Sequence, residues 1–92
     1  MSELKPTAIL YFVFSIRDVK VNVYNTPFFQ TSKAGAIRMF SDLCNDPQST
    51  LAKHPEDFQL YEIGCFDSEI GYITSLDAPL FLSSATEFVS QP

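Results

Sequence analysis

The feature that most constrains this chain is the run from Thr7 to Arg17, which is apolar on both sides when read as an extended strand. Leu10, Phe12, Phe14 and Ile16 fall on one side, and Ile9, Tyr11 and Val13 on the other. The β-branched and aromatic side chains suit a pleated surface better than a helix. A strand of this kind must be covered on both faces, because left bare at a sheet edge it invites aggregation.

The alternation Val19, Val21, Val23 against Lys20, Asn22, Tyr24 predicts a second, half-buried strand over Val19 to Tyr24. Pro27 and the residue before it end that stretch. Phe28 and Phe29 then stand where a hydrophobic staple would set the entry into a helix. A cap at Thr31 or Ser32 and the spacing of Ala36, Ile37, Phe40, Leu43 and Cys44 predict one principal helix, Lys33 to Asn45, stopped by Asp46 and Pro47. Its apolar stripe is expected to set Ile37, Phe40 and Leu43 on a sheet. A shorter helical turn, Gln48 to Lys53, ends before Pro55.

From Asp57 to Phe66 the apolar alternation slips phase near its middle, and Gly64 suits a bulge there. Residues 67–71 have turn composition, and Tyr72, Ile73 and Thr74 resume β character, so the two stretches predict a β-hairpin. Beyond Leu76, a short strand at Leu80, Phe81 and Leu82 and a last turn over Ser84 to Val89 stay open. The whole is an α+β fold: a small antiparallel sheet in β-α-β-β order, with Val19–Tyr24 as an optional extra strand, and the principal helix on one face. The 92 residues leave room for one domain, with a core over about residues 7–76 and a tail over 77–92.

With nine Phe, four Tyr and an apolar fraction of 46%, disorder is not expected. The longest apolar run, Ala8 to Phe14, is too short for a membrane helix. The amino terminus lacks the pattern of a signal peptide, so the chain is expected to stay in the cytosol. Charge is divided: the six cations up to Lys53 outweigh Glu3, Asp18, Asp42 and Asp46 by +2, while the acids from Glu56 to Glu87 bring −7. The net −5 excludes a uniformly basic DNA binder and confines any phosphate contact to a local patch.

No catalytic set is expected. His54 is the only histidine and lies beside Pro55 in a turn, and Cys44 and Cys65 lack metal-ligand spacing and read as small apolar residues. Residues 67–71 are too short for a calcium loop, and the three glycines are too scattered to hold a nucleotide phosphate. Neither a metal nor a cofactor is expected. Two surfaces remain as candidates. Arg17, Lys20, Lys33 and Arg38 flank Tyr24, Phe28 and Phe29, and cations beside aromatic rings are the two ingredients of single-strand binding. Alternatively, Glu56, Asp57 and Glu62 form an acidic surface that captures a protein partner.

A set of short motifs, taken in order, resembles the small non-structural protein of gokushovirus-type phages, the single-stranded DNA phages of the Microviridae. They are Ile16-Arg17-Asp18-Val19-Lys20, Pro27-Phe28-Phe29, Ala36-Ile37-Arg38-Met39-Phe40, Asn45-Asp46-Pro47, Pro55-Glu56-Asp57-Phe58-Gln59-Leu60 and Gly64-Cys65-Phe66-Asp67, with Gly71 closing the turn. The likeness runs from about Tyr11 to Ile73, and both ends depart from it. It implies a protein of the infected bacterial cytoplasm, not built into the capsid, that serves genome replication or the switch to packaging. Its partner would be single-stranded DNA or a phage or host replication protein. The uncovered side of the first strand adds the expectation of a homodimer or larger assembly.

Overall fold

A computed structural model describes residues 9–89. Thr7 and Ala8 of the expected first strand, and residues 90–92 of the expected tail, lie outside them. The first strand, β1 (Leu10–Asp18), is the centre of an antiparallel sheet. Along one side of it run two short strands, β2 (Val23–Tyr24) and β3 (Phe28–Gln30); along the other runs β4 (Phe58–Asp67), which pairs with β5 (Tyr72–Ser84). Helix α1 (Lys33–Cys44) and the single turn α2 (Thr50–Lys53) lie between β3 and β4. The fold is thus a small antiparallel sheet with one principal helix, and three strands precede that helix where the expected β-α-β-β order has one.

The two-sided reading of β1 holds. Phe14 and Ile16 enter the core with Phe58, Leu60 and Leu51, and Phe12 packs against them. Ser32 caps α1, its Oγ accepting from the Gly35 N–H at 3.0 Å, and the helix runs to Cys44. Its most buried stripe is Ala36, Phe40 and Cys44, with Ile37 and Leu43 flanking as partly buried contacts. Small residues above and below Phe40 let its ring sink onto the sheet, whereas Ile37 and Leu43 sit on the shoulders of the contact. Ser32→Ala is expected to cost about 1 kcal/mol, because it orphans a first-turn N–H. A urea midpoint lowered without a change in slope is the check.

Two expectations are corrected. Residues 19–22 form a turn, with Asn22 at φ 59, and only Val23–Tyr24 is strand. The chain has to reverse within those four residues, and Asn tolerates the left-handed conformation the reversal needs. Phe28 and Phe29 are not a staple: they lie in β3, opposite Phe14 and Val13, so one ring goes to each side of the sheet. Phe28 stacks on Phe14 with centroids 5.7 Å apart.

The expected bulge is in place: Val13 pairs with Gly64 and Phe14 with Glu62, which leaves Ile63 as the extra residue of β4. Opposite it, β5 bows outward over residues 76–79, between the pairs Gly64–Ser75 and Glu62–Leu80. The strand then continues to Ser84 and enters a 3-10 turn (Ala85–Glu87) closed by a reciprocal cap between Ser84 and Glu87. Phe88 meets Phe40 edge-on at 6.0 Å, and the Asn45 side chain donates to the Phe88 carbonyl at 2.8 Å. Residues 77–89 therefore belong to the packed structure. No helix among the described residues is long and apolar enough to cross a membrane.

Candidate functional site: the open face of the sheet

Helix α1 shields one side of the sheet; on the other, Val13 and Ser15 of β1 are also buried, with the Asn25 backbone lying against Ser15, while several of the rings around them are exposed. Directly opposed residues in an antiparallel ladder share a face, so the register defines four rows. Arg17, Tyr24, Gln59 and Ser84 form the first, and Ser15, Tyr61 and Phe81 the second. Val13, Phe29, Gly64 and Ser75 form the third, and Tyr11, Phe66 and Ile73 the fourth. Successive rows are about 7 Å apart along the strands.

The rings make two clusters. Tyr61 meets Tyr24 edge-on at 5.4 Å and Phe81 at 5.8 Å, and the Arg17 guanidinium sits 5.4 Å from the Tyr24 ring centre. Phe66 meets Phe29 at 5.9 Å and Tyr11 at 6.0 Å. With Ser68 and Ile73, the second cluster lines an open hollow of about 430 Å³. Between the clusters lie Val13, Ser15, Gly64 and Ser75, of which the first three are buried and only Ser75 is exposed. The Ser15 hydroxyl donates to the Asn25 carbonyl at 2.7 Å, which fastens the segment after Tyr24 to the sheet.

The bulge makes this arrangement. Tyr61 and Phe66 are five residues apart, so a regular strand would point them to opposite sides. The extra residue at Ile63 restores both to one face. None of the face positions in these rows is a carboxylate, and Arg17 is their one charge. The Arg17 side chain donates to Asn22 Oδ1 at 2.9 Å, while its enclosed Nε has no hydrogen-bond partner.

The expected cationic and aromatic residues divide accordingly. Arg17, Tyr24 and Phe29 come together on the open face. Phe28 is on the helix side, packed against the core. Lys20 is exposed in the turn after β1, its backbone N–H donating to Asp18 Oδ1, and Arg38 is exposed on α1. Lys33 pairs with Glu62 at 3.6 Å, the one ion pair among the described residues. The acidic trio is divided too, since Glu62 is held under α1 while Glu56 and Asp57 lie in a 3-10 turn (Pro55–Asp57). Tyr11, Tyr61, Phe66, Ile73 and Phe81 are outside the set expected from sequence. The phase slip in β4 is the signal that would have found Tyr61 and Phe66.

His54, Glu56 and Asp57 bring possible metal-ligand atoms within 4.8 Å of one another. Their closeness follows from sharing one tight turn, and nothing further there points to an ion. Cys44 is buried in the core, and burial pushes its thiol above the ordinary value, which disfavours the nucleophilic thiolate.

The fold and this face together define a small α+β protein whose sheet is covered by a helix on one side and presents partly exposed aromatic rings on the other. Residues 11–88 match the family described as Phage ORF5 protein, and the chain belongs to that family. It is 35% identical over 82 residues to Protein ORF5 of Chlamydia phage 1, a gokushovirus of the Microviridae, covering 84% of this chain and 85% of that one. The resemblance read from the motifs is thereby established. No solved structure matches the chain.

Proposed function

We propose that this protein is a phage accessory factor of single-stranded DNA genome replication, or of the switch to packaging, and that it engages single-stranded DNA with the open face of its sheet. The observation that carries this reading is a face of aromatic rings with Arg17 and without a carboxylate, in a chain of net charge −5. A negative protein repels phosphate at long range, so a nucleic-acid surface has to be cleared of acids locally. Stacking supplies the affinity that so few cations do not: about 1–3 kcal/mol per base on an aromatic side chain. The row spacing is close to the reach of one nucleotide in an extended strand, which suits bases seated on the exposed rings of the two clusters. The proposed setting is the cytoplasm of the infected bacterium.

The acidic alternative, capture of a protein partner by Glu56, Asp57 and Glu62, draws less support because Glu62 is paired with Lys33. Fluorescence anisotropy with a labelled oligonucleotide at low salt separates the two readings. Binding is expected, with a shallow salt slope, since each phosphate contact on a single strand adds only about 0.7 to it. Tyr24→Ala and Phe81→Ala, at rings 38% and 48% exposed, should each weaken binding about 5-fold or more while leaving the fold intact. Arg17→Met should flatten the remaining salt dependence. An anisotropy that stays flat for the wild type at low salt rules the DNA reading out.

A further inference from the structure

We infer that two copies of this chain join through the outer edge of β5, pairing Tyr72 to Leu76 antiparallel with the same residues of the second copy about a two-fold axis at Thr74. This inference is independent of DNA binding. In the strand order β2-β1-β4-β5 the last strand has a neighbour on one side only, so its outer backbone N–H and C=O groups have no strand partner. Edges of this kind are templates for another strand unless something blocks them. The second half of β5 is blocked, because the bow beyond Leu76 carries Asp77 and Pro79. The first half carries no such device. Residues 72–76 are uncharged, lack proline, include the β-branched Ile73 and Thr74, and are exposed throughout, Tyr72 to 68% and Ile73 to 63%.

Charge sets the register of this self-pairing. Each protomer carries −5, so a self-pairing edge has to keep carboxylates apart. Centring at Thr74, the midpoint of the uncharged stretch Tyr72–Leu76, opposes Tyr72 to Leu76, Ile73 to Ser75, and Asp77 to Gly71. Moving the centre one residue to Ile73 would set Asp77 against Glu69, which antiparallel pairing disfavours. The hairpin end carries apolar side chains on both sides, with Leu10 and Tyr72 flanking Asp67 at one face and Phe66 and Ile73 at the other. A neighbouring strand shields both sides at once, as a partner lying on a single face does not. A two-fold axis through Thr74 keeps the aromatic faces of the two protomers on the same side of one continuous sheet. The homodimer expected from β1 is thus placed at the edge of the sheet, leaving its aromatic face open. The edge is short, so the dimer is expected to dissociate on dilution.

Sedimentation velocity without nucleic acid tests this. A monomer–dimer equilibrium is expected for the wild type, and Thr74→Lys, which sets two cations face to face at the axis, should give monomer at the same concentration with an unchanged circular dichroism spectrum. Thr74→Cys is made together with Cys65→Ser, because Cys65 lies opposite Thr74 within the chain and would capture the new thiol. Mild oxidation should then yield a disulfide-linked dimer on a non-reducing gel. A wild type that stays monomeric at its highest soluble concentration overturns the inference. So does a dimer that survives Thr74→Lys and forms no cross-link.

Discussion

Phe40→Ala is expected to remove about 3–5 kcal/mol of stability. The Phe40 ring is fully buried, flanked on α1 by Ala36 and Cys44 and met edge-on by Phe88 from the chain's last turn. It therefore joins three parts of the molecule: the helix, the sheet beneath it and the segment after β5. Neither Ala36 nor Cys44 is large enough to move into the space it would leave, so a cavity persists and adds to the lost transfer free energy. A chain of this length has a total stability of roughly 5–14 kcal/mol, so the variant should lie near the margin of folding. Urea denaturation followed by far-UV circular dichroism reads the loss directly. A cost below about 1 kcal/mol would mean that α1 is not seated on the sheet as described.

Gly64→Ala is expected to cost about 1–3 kcal/mol by a different route. A Cβ at Gly64 would collide with the Thr74 carbonyl oxygen and lie 3.3 Å from Ser75 Cα. Both are backbone atoms, so no rotamer change relieves the clash and the two strands must separate. The damage should be local. Amide exchange is expected to quicken across residues 64–75 while the amides of α1 keep their protection. Gly71→Ala is the control: Gly71 has φ +73 and nothing within 4 Å of an added Cβ, so its cost is conformational, on the order of 1 kcal/mol, with no splaying of the hairpin. Equal exchange patterns for the two variants would refute the close approach at Gly64.

The contrast between these glycines shows where sequence reasoning reaches. Gly71 is legible as the end of a hairpin turn, because turn chemistry is local. Gly64 is legible as the place for a bulge, since the apolar alternation of β4 slips there. What the slip accomplishes is not legible, because the face on which Tyr61 and Phe66 meet depends on which residue of β1 each one opposes. Likewise, Phe28 and Phe29 next to a helix cap fit a staple from local pattern alone. Only their pairing with Phe14 and Val13 shows them as a strand that sends one ring into the core and the other to the open face. The expected cationic and aromatic site residues are neighbours in sequence, and Arg17, Tyr24 and Phe29 stay together because β2 and β3 return along the same edge of β1.

The sequence by itself determined the elements whose signals lie within about a dozen residues: the two-faced first strand, helix α1 with its cap, the stop at Asp46 and Pro47, and the hairpin turn. Each rests on backbone geometry and side-chain period, which neighbouring residues set among themselves. Tertiary structure decided the register, the side of the sheet the helix covers, and therefore which rings remain in solvent. Those outcomes depend on pairings between residues far apart in the chain, and a one-residue shift in any of them exchanges the buried face for the open one.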